Sequence, residues 1–388
     1  MGRFLSVSLA MVALAGCVSV GAVEPPQVSR GGDEAPSNSA SYEALGLEVE
    51  AVASDLDTPW DLIWGPEGWI WFTERPGRLS RVHPETAEVE VIADIPSTER
   101  GESGLMGVEL HPDFPEVPYV YLVQSYTADG SVMNRLLRYA YRDGSLTDRR
   151  VLLDSILGAS YHDGARIVAG PDRRLYITTG DAGRKRLAQD TDSLNGKVLR
   201  VTLDGEPVAD NPFGNEVFSY GHRNAQGLVF HPESGELYIT EHGPRDNDEI
   251  ALVRKGENHG WPAVHGFCDG DVGGEEAFCA EHEIAEPLAA WTPTIAPAGA
   301  DFYDATEIPG WNGSFLFVTL KGSSLIRIVL SSDGREVVRQ EVIGQGSYGR
   351  LRDVLVGPDG SVYIATSNRD GRGEPAEEDD RILRIMAK

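Results

Sequence analysis

From Leu47 onward the chain is built of short runs in which apolar and polar positions alternate. Gly-Pro, His-Pro and Asp-Gly dipeptides break these runs, and helical periodicity is lacking. One unit keeps returning. A turn of the form Gly/His-Pro-Asp/Glu leads into a β-rich strand, then a polar loop, then a second strand that often ends in Arg-Val or Arg-Ile. Copies begin at Gly65-Pro66 (GPEGWIWFTE), His111-Pro112 (HPDFPEVPYVYLVQSY), Gly170-Pro171 (GPDRRLYITTGD), His231-Pro232 (HPESGELYITEHGP), a degenerate Gly310-Trp311 (GWNGSFLFVTLKG) and Gly357-Pro358 (GPDGSVYIATSN).

Six copies of a strand-rich unit predict an all-β, six-bladed β-propeller over residues 47–388. A lone blade leaves edges and a face unburied, and ring closure covers both. The strand Leu47–Ser54 is expected to pair with Arg381–Met386 and latch the ring. The longest interval between copies holds Trp261–Pro297, which predicts an inserted lid or wall on one face.

Composition narrows the function. With 61 acidic against 34 basic residues and a formal charge of −27, the chain lacks the clustered positive charge of a nucleic-acid binder. The acidic run Glu374–Asp380 reads as a solvated loop. At the N-terminus, Arg3 followed by the apolar run Phe4–Leu14 has the form of a signal peptide. Its end, Leu14-Ala15-Gly16-Cys17, resembles the lipobox of bacterial lipoproteins, in which Cys17 carries the lipid; the other reading is an ordinary secretory signal with a chance cysteine. Residues 18–46 follow as an expected tether, rich in Pro, Gly, Ser and Ala through Ser41. The expectation is an exported protein, periplasmic or anchored to the outer membrane by lipid alone. Cys268 and Cys279 remain as an even pair, for which a disulfide is expected, since no CxxC or Cys/His spacing suggests a metal.

The richest stretch chemically is Tyr161–Gly183, YHDGARIVAGPDRRLYITTGDAG. A hairpin hinged near Pro171–Asp172 sets His162 opposite Asp181 at the sheet rim. A carboxylate beside an imidazole fixes its tautomer and suits it to general-base work, although such a pair also satisfies two rim side chains with no further role. Turns at one end of a propeller converge on a shared cavity, so Glu102, His222, Arg223, Asn224, His242, Lys321, Arg350 and Arg352 belong to the same rim. Arg350 and Arg352, two apart on an extended segment, are expected to point the same way and clamp a carboxylate, or else to pair with neighbouring acids. Trp291 is either a wall of the site or a packing residue.

The stretches GESGLMGVELHPDF, HDGARIVAGPD with TTGDAG, SYGHRNAQGLVF, TEHGPRDNDEI, NHGWP, TPTIAP, VTLKG and GRLRDVLVGPDG, in this order from about Leu56 to the C-terminus, resemble the soluble quinoprotein sugar dehydrogenases that use pyrroloquinoline quinone (PQQ). The resemblance implies a PQQ- and Ca²⁺-dependent oxidation of aldoses to lactones, with electrons passed to an external acceptor. It puts the base at His162, its orienting acid at Asp181 and oxyanion stabilisation at Arg223. Cofactor contacts fall at Glu102, Arg223, Asn224, Lys321, Arg350 and Arg352, although the glucose enzymes carry Gln where Glu102 stands. Ca²⁺ is implied at the backbone oxygens of Gly243 and Pro244, and a second, structural metal near Glu249 and Asp269. Asp163, next to His162, is a rival carboxylate for the imidazole. Two readings from other classes stand beside this one: a non-catalytic sugar- or envelope-binding lipoprotein propeller, and a metal-dependent lactonase, which needs a side-chain cluster of Glu, Asn and Asp in the central channel.

Overall fold

The computed structural model describes residues 39–388, with residue 2 and the backbone of 27–29. The signal segment, Cys17 and most of the expected tether lie outside the described residues. Six sheets of antiparallel strands follow one another around a ring, a six-bladed β-propeller. The innermost strands, one per blade, are Pro59–Trp64, Leu105–Leu110, Gly164–Ala169, Ala225–Phe230, Pro297–Tyr303 and Leu351–Val356. Leu47–Ala53 pairs with Ile382–Ala387 as the outer strand of blade 6 and closes the ring. Within residues 18–46 the chain does not behave only as a tether. Gln27–Ser29 adds a fifth strand to blade 4, Ala40 bridges to Ile343 on blade 5, and Tyr42 is buried against blades 5 and 6. An aromatic ring in an otherwise small and polar stretch is what pins it there.

Apolar residues alternate toward the interfaces between blades, so each core cluster is shared by neighbouring blades. One joins Trp71 and Leu79 of blade 1 to Leu105, Val108 and Leu122 of blade 2. Another joins Ile250 and Trp291 of blade 4 to Phe302, Phe315 and Phe317 of blade 5. Trp291 is therefore a packing residue: it is fully buried and its indole N–H donates to Gln340.

Each innermost hairpin carries a register shift, a bulge that bends the strand where it lines the central channel. Side chains stitch each blade to the next there. The Asp61 carboxylate accepts from Val108 N–H (2.8 Å) and Glu109 from Ala169 N–H (2.9 Å). Arg166 Nε donates to Gln226 O (3.0 Å) and Thr240 Oγ1 to Ala298 O (2.6 Å). Asp301 accepts from Val356 N–H (2.8 Å) and Asp353 from Leu62 N–H (2.7 Å). The Arg166 guanidinium also bonds Asp61 and Asp353, so one buried cation ties blades 3, 1 and 6 across the channel. Gly299 makes room for this cluster, since a Cβ there would lie 1.6 Å from Asp353 Oδ1.

The insertion between the third and fourth strands of blade 4 holds a short helix, Glu275–Glu281, and the Cys268–Cys279 disulfide, with an S–S distance of 2.03 Å. Asp61, Asp353, Glu109 and Asp301 all have their carboxyls pushed up, by burial foremost, and Glu109 and Asp301 reach about 7. For Asp61 and Asp353 the counterweight is Arg166. Replacing Arg166 with Met leaves these two carboxylates buried without their cation, and denaturant unfolding should show a loss of about 3–5 kcal/mol; a loss below ~1 kcal/mol would assign ring closure to the apolar interfaces alone.

Candidate functional site

The bulge in the blade 3 hairpin sets the first pair. Ile167 faces Ile177 and Ala169 faces Leu175, but after the shift Gly164 faces Thr179. Continued by two residues, that register brings His162 opposite Asp181. Nδ1 of His162 donates to Asp181 Oδ1 at 2.7 Å, which leaves Nε2 as the acceptor nitrogen. Its backbone is held on both sides: the N–H donates to Glu102 Oε2 (2.9 Å) and the carbonyl accepts from Ala182 N–H (3.1 Å). His162 has φ 62°, a left-handed conformation that costs a β-carbon residue about 1–2 kcal/mol and survives only where neighbours enforce it. Gly180 is one enforcer, because a Cβ there would stand 1.9 Å from the His162 carbonyl oxygen.

Asp181 is fully buried and accepts three hydrogen bonds: from His162, from Gly183 N–H (2.7 Å) and from Trp261 Nε1–H (2.9 Å). Burial opposes its charge, but the hydrogen bond and charge of His162, with the Gly183 and Trp261 donors, hold it below the usual carboxylate range. Asp163 does not compete for the imidazole. Its Oδ1 is taken by Asn134 (2.9 Å) and Ala159 N–H (3.1 Å), and burial pushes it up to about 7.

Around this pair stand cations from three other blades. Arg223, half-buried, donates through Nη1 to His242 O at 3.0 Å and lies 5.2 Å from the Trp261 ring; burial pulls its guanidinium down despite Asp181 and Glu241 nearby. Arg352 is buried in the channel, donates to Gln226 Oε1 (2.8 Å), and is pressed down to about 9 by burial. Arg350 is bonded to Asp370 (2.7 Å). Arg352, across a register shift between Leu351 and Asp353, also helps hold the Asp370 carboxyl down, so both cations act on one acid. Lys321 is exposed on the same cleft as Arg350 and has no ion-pair partner among the described residues.

Glu102 is ionised and occupied. Arg372 from the blade 6 loop donates to Oε1 (2.7 Å) while Oε2 takes the His162 N–H. Burial favours its neutral form, but His242, Arg372 and the His162 N–H outweigh it and hold the carboxyl at about 2. The charge that clashes with an acidic cofactor on paper is thus already neutralised.

Five N–H donors here are buried and unpartnered among the described residues: Arg75 Nε, Arg166 Nη2, Arg223 Nε, Asn224 Nδ2 and Arg352 Nε. Buried donors left unpaired are costly, and a set this rich in cations fits an anionic ligand dense in acceptors. A planar tricarboxylate such as PQQ has that character. A small pocket of ≈ 20 Å³ beside Arg223 is lined by Gly243, Pro244, Glu249, His259 and Trp261. The carbonyls of Gly243 and Pro244 accept no hydrogen bond among the described residues, as a hard cation's oxygen ligands require. Glu249 faces this pocket and its carboxyl is pushed well up by burial and by Glu241 and Asp248. Asp269 does not join it. It sits on the exposed turn beside the disulfide, where it accepts from Asp271 N–H, and among the described residues no three acidic, His or Cys side chains converge as a metal cluster.

Sequence reasoning missed Arg75, Arg372 and any role for Trp261. Aligning WFTER with YITEH from the repeats sets Arg75 at the position of His242, a signal that was available; Arg372 and Trp261 lie in loops with no repeat to align. His242 itself is pulled down to about 4 by burial, so it carries the charge that acts on Glu102 only in acid, and its Nε2 lies 2.8 Å from Pro297 O.

Comparison with known proteins agrees with this geometry. Residues 56–384 match the family model described as glucose/sorbosone dehydrogenase. Quinoprotein glucose dehydrogenase B of Acinetobacter calcoaceticus is 31% identical over 90% of this chain and 91% of its own. Aldose sugar dehydrogenase YliI of Escherichia coli is 32% identical over 84% and 91%. Among solved structures, the PQQ-bound aldose sugar dehydrogenase of Streptomyces coelicolor superposes with a TM-score of 0.77 at 34% identity, covering 88% of this chain and 98% of that one.

Because the Glu102 carboxyl drops from its ordinary 4.5 to about 2 on folding, it stabilises the fold above pH 4.5, and that contribution fades as pH falls through 2. Glu102→Gln should therefore be less stable than wild type at pH 6–7, and the gap should close on acidification through this window, as read by thermal melts at each pH. A gap independent of pH would remove the charge from the explanation.

Proposed function

Because this chain belongs to the glucose/sorbosone dehydrogenase family, we propose that it oxidises the anomeric carbon of aldoses to lactones by hydride transfer to PQQ, with Ca²⁺ as second cofactor and an external electron acceptor. The observation that carries this is a His162 Nε2 without a partner among the described residues, set beside five buried, unpaired N–H donors.

Arg223, Asn224, Lys321 and Arg352 would hold PQQ, with Arg350 contributing what Asp370 leaves free. The Gly243 and Pro244 carbonyls would hold Ca²⁺. Bound there, the pair supplies a two-electron acceptor and a Lewis acid. His162 Nε2 takes the proton of the anomeric hydroxyl as the lactone C=O forms, and Asp181 steadies the resulting imidazolium without moving. The Glu102–Arg372 ion pair and the Ala182 N–H keep the His162 backbone in place, so the base is aimed before substrate arrives. Arg223, desolvated and partly unpaired, offers preorganised positive charge where negative charge develops. We place the enzyme outside the cytoplasm, on the segment that ends in Cys17.

The buried, unpaired cationic donors suit an acidic cofactor better than the acidic side-chain metal site that a lactonase needs. Purified protein given PQQ and Ca²⁺ should reduce an artificial acceptor in the presence of aldoses; no activity across a broad panel of sugars and alcohols would sink the proposal. His162→Ala should keep PQQ binding and lose roughly 10²–10⁴-fold in turnover, the range of a lost general base. Undiminished turnover would take His162 out of that role.

A further inference from the structure

Trp261 touches both halves of the site, bonding Asp181 and lining the pocket beside Arg223. It is 4% exposed. Its indole N–H reaches Asp181 Oδ2 at 2.9 Å from the blade 4 insertion, 80 residues along the chain. Its ring is boxed by charged and aromatic neighbours: Arg223 at 5.2 Å, Lys185 at 5.0 Å and a stacked His265 at 5.1 Å. Its backbone is fixed as well. The N–H donates to Gly221 O (3.0 Å), and the carbonyl accepts from Gln189 Nε2 (2.8 Å).

This arrangement gives Asp181 a division of labour. Oδ1 faces the imidazole and the Gly183 N–H, while among the described residues Oδ2 is tethered by the Trp261 side chain alone. A carboxylate free to rotate about its last torsion presents either oxygen to a partner; one with a donor fixed on each oxygen presents one orientation only. A buried aromatic N–H with a single acceptor is also expensive to leave unpaired, so the indole has reason to hold its place. Over the same ring, the Arg223 guanidinium is desolvated and placed by cation–π attraction.

We propose that Trp261 is a positioning residue that locks the Asp181 carboxylate against His162 and, through its ring, sets Arg223 beside that pair, so the disulfide-bearing insertion acts as part of the active-site frame. The inference rests on the reading of His162 and Asp181 as base and orienter. It gives the inserted lobe a task that neither fold closure nor cofactor binding requires of it.

Trp261→Phe keeps the ring over Arg223 and deletes only the N–H. In PQQ-loaded enzyme, kcat should fall roughly 10-fold or more, as for lost outer-shell partners elsewhere, while KM and the PQQ dissociation constant, followed by absorbance titration, change by no more than about 3-fold. The acid limb of kcat/KM should move to higher pH, since a carboxylate that loses a donor takes up its proton more readily. In an Asp181→Asn background the same change should have little additional effect. Wild-type kcat and pH profile in Trp261→Phe would overturn the proposal and leave the base assignment standing. An undiminished loss in the Asp181→Asn background would overturn it too, by placing the effect elsewhere. Full turnover in Asp181→Asn would remove the base–orienter reading and this proposal together. A measurement on cofactor-free protein needs no Trp261 variant. Of the indole N–H resonances in ¹⁵N-labelled protein, one should shift and lose protection from exchange in Asp181→Asn; indole spectra identical to wild type would count against the tether.

Discussion

Arg166 sits where inner strands of three blades meet, and its guanidinium faces Asp61 from blade 1 and Asp353 from blade 6. A propeller has no central hydrophobic core, so the innermost strands must be joined by polar groups buried in the channel, and such groups hold only when each is answered. Here the answers run from side chain to the next blade's backbone at every interface. Because the bulges that turn these side chains inward also set the strand ends, the same irregularity that seals the ring aims His162, Arg223 and Arg352.

At the mouth of the ring, charge is distributed against the grain of the whole molecule. A chain with formal charge −27 gathers Arg75, Arg223, Arg350, Arg352 and Lys321 toward one mouth. Two of its acids there are already spent, Glu102 on Arg372 and Asp370 on Arg350, so they shape the mouth without cancelling it. The surplus donors are what an acidic cofactor satisfies.

Much of this was legible in the sequence because the repeat is long-range information written locally. Five Gly-Pro or His-Pro turns and the degenerate Gly310-Trp311 each mark a hairpin, and six hairpins imply the ring. The His162–Asp181 pairing followed from hairpin arithmetic only because the bulge shifts the register in the right direction; without the shift, Asp181 would face Asp163. A bulge of the same kind lies at Arg352, and there Arg350 and Arg352 both act on Asp370, an acid that alternation along the strand does not reveal. Contacts between loops, such as Arg372 with Glu102 and Trp261 with Asp181, have no period to betray them. Asp269 stands on the exposed turn beside the disulfide, another loop position with no repeat to place it.

The central claim is that the mouth is built to hold PQQ. Equilibrium titration of cofactor-free protein with PQQ in the presence of Ca²⁺, followed by calorimetry, tests it most directly. The account predicts saturable binding of one PQQ per chain that weakens with rising salt and is severely weakened in Arg352→Met. No saturable binding, or binding indifferent to both salt and Arg352, would contradict it.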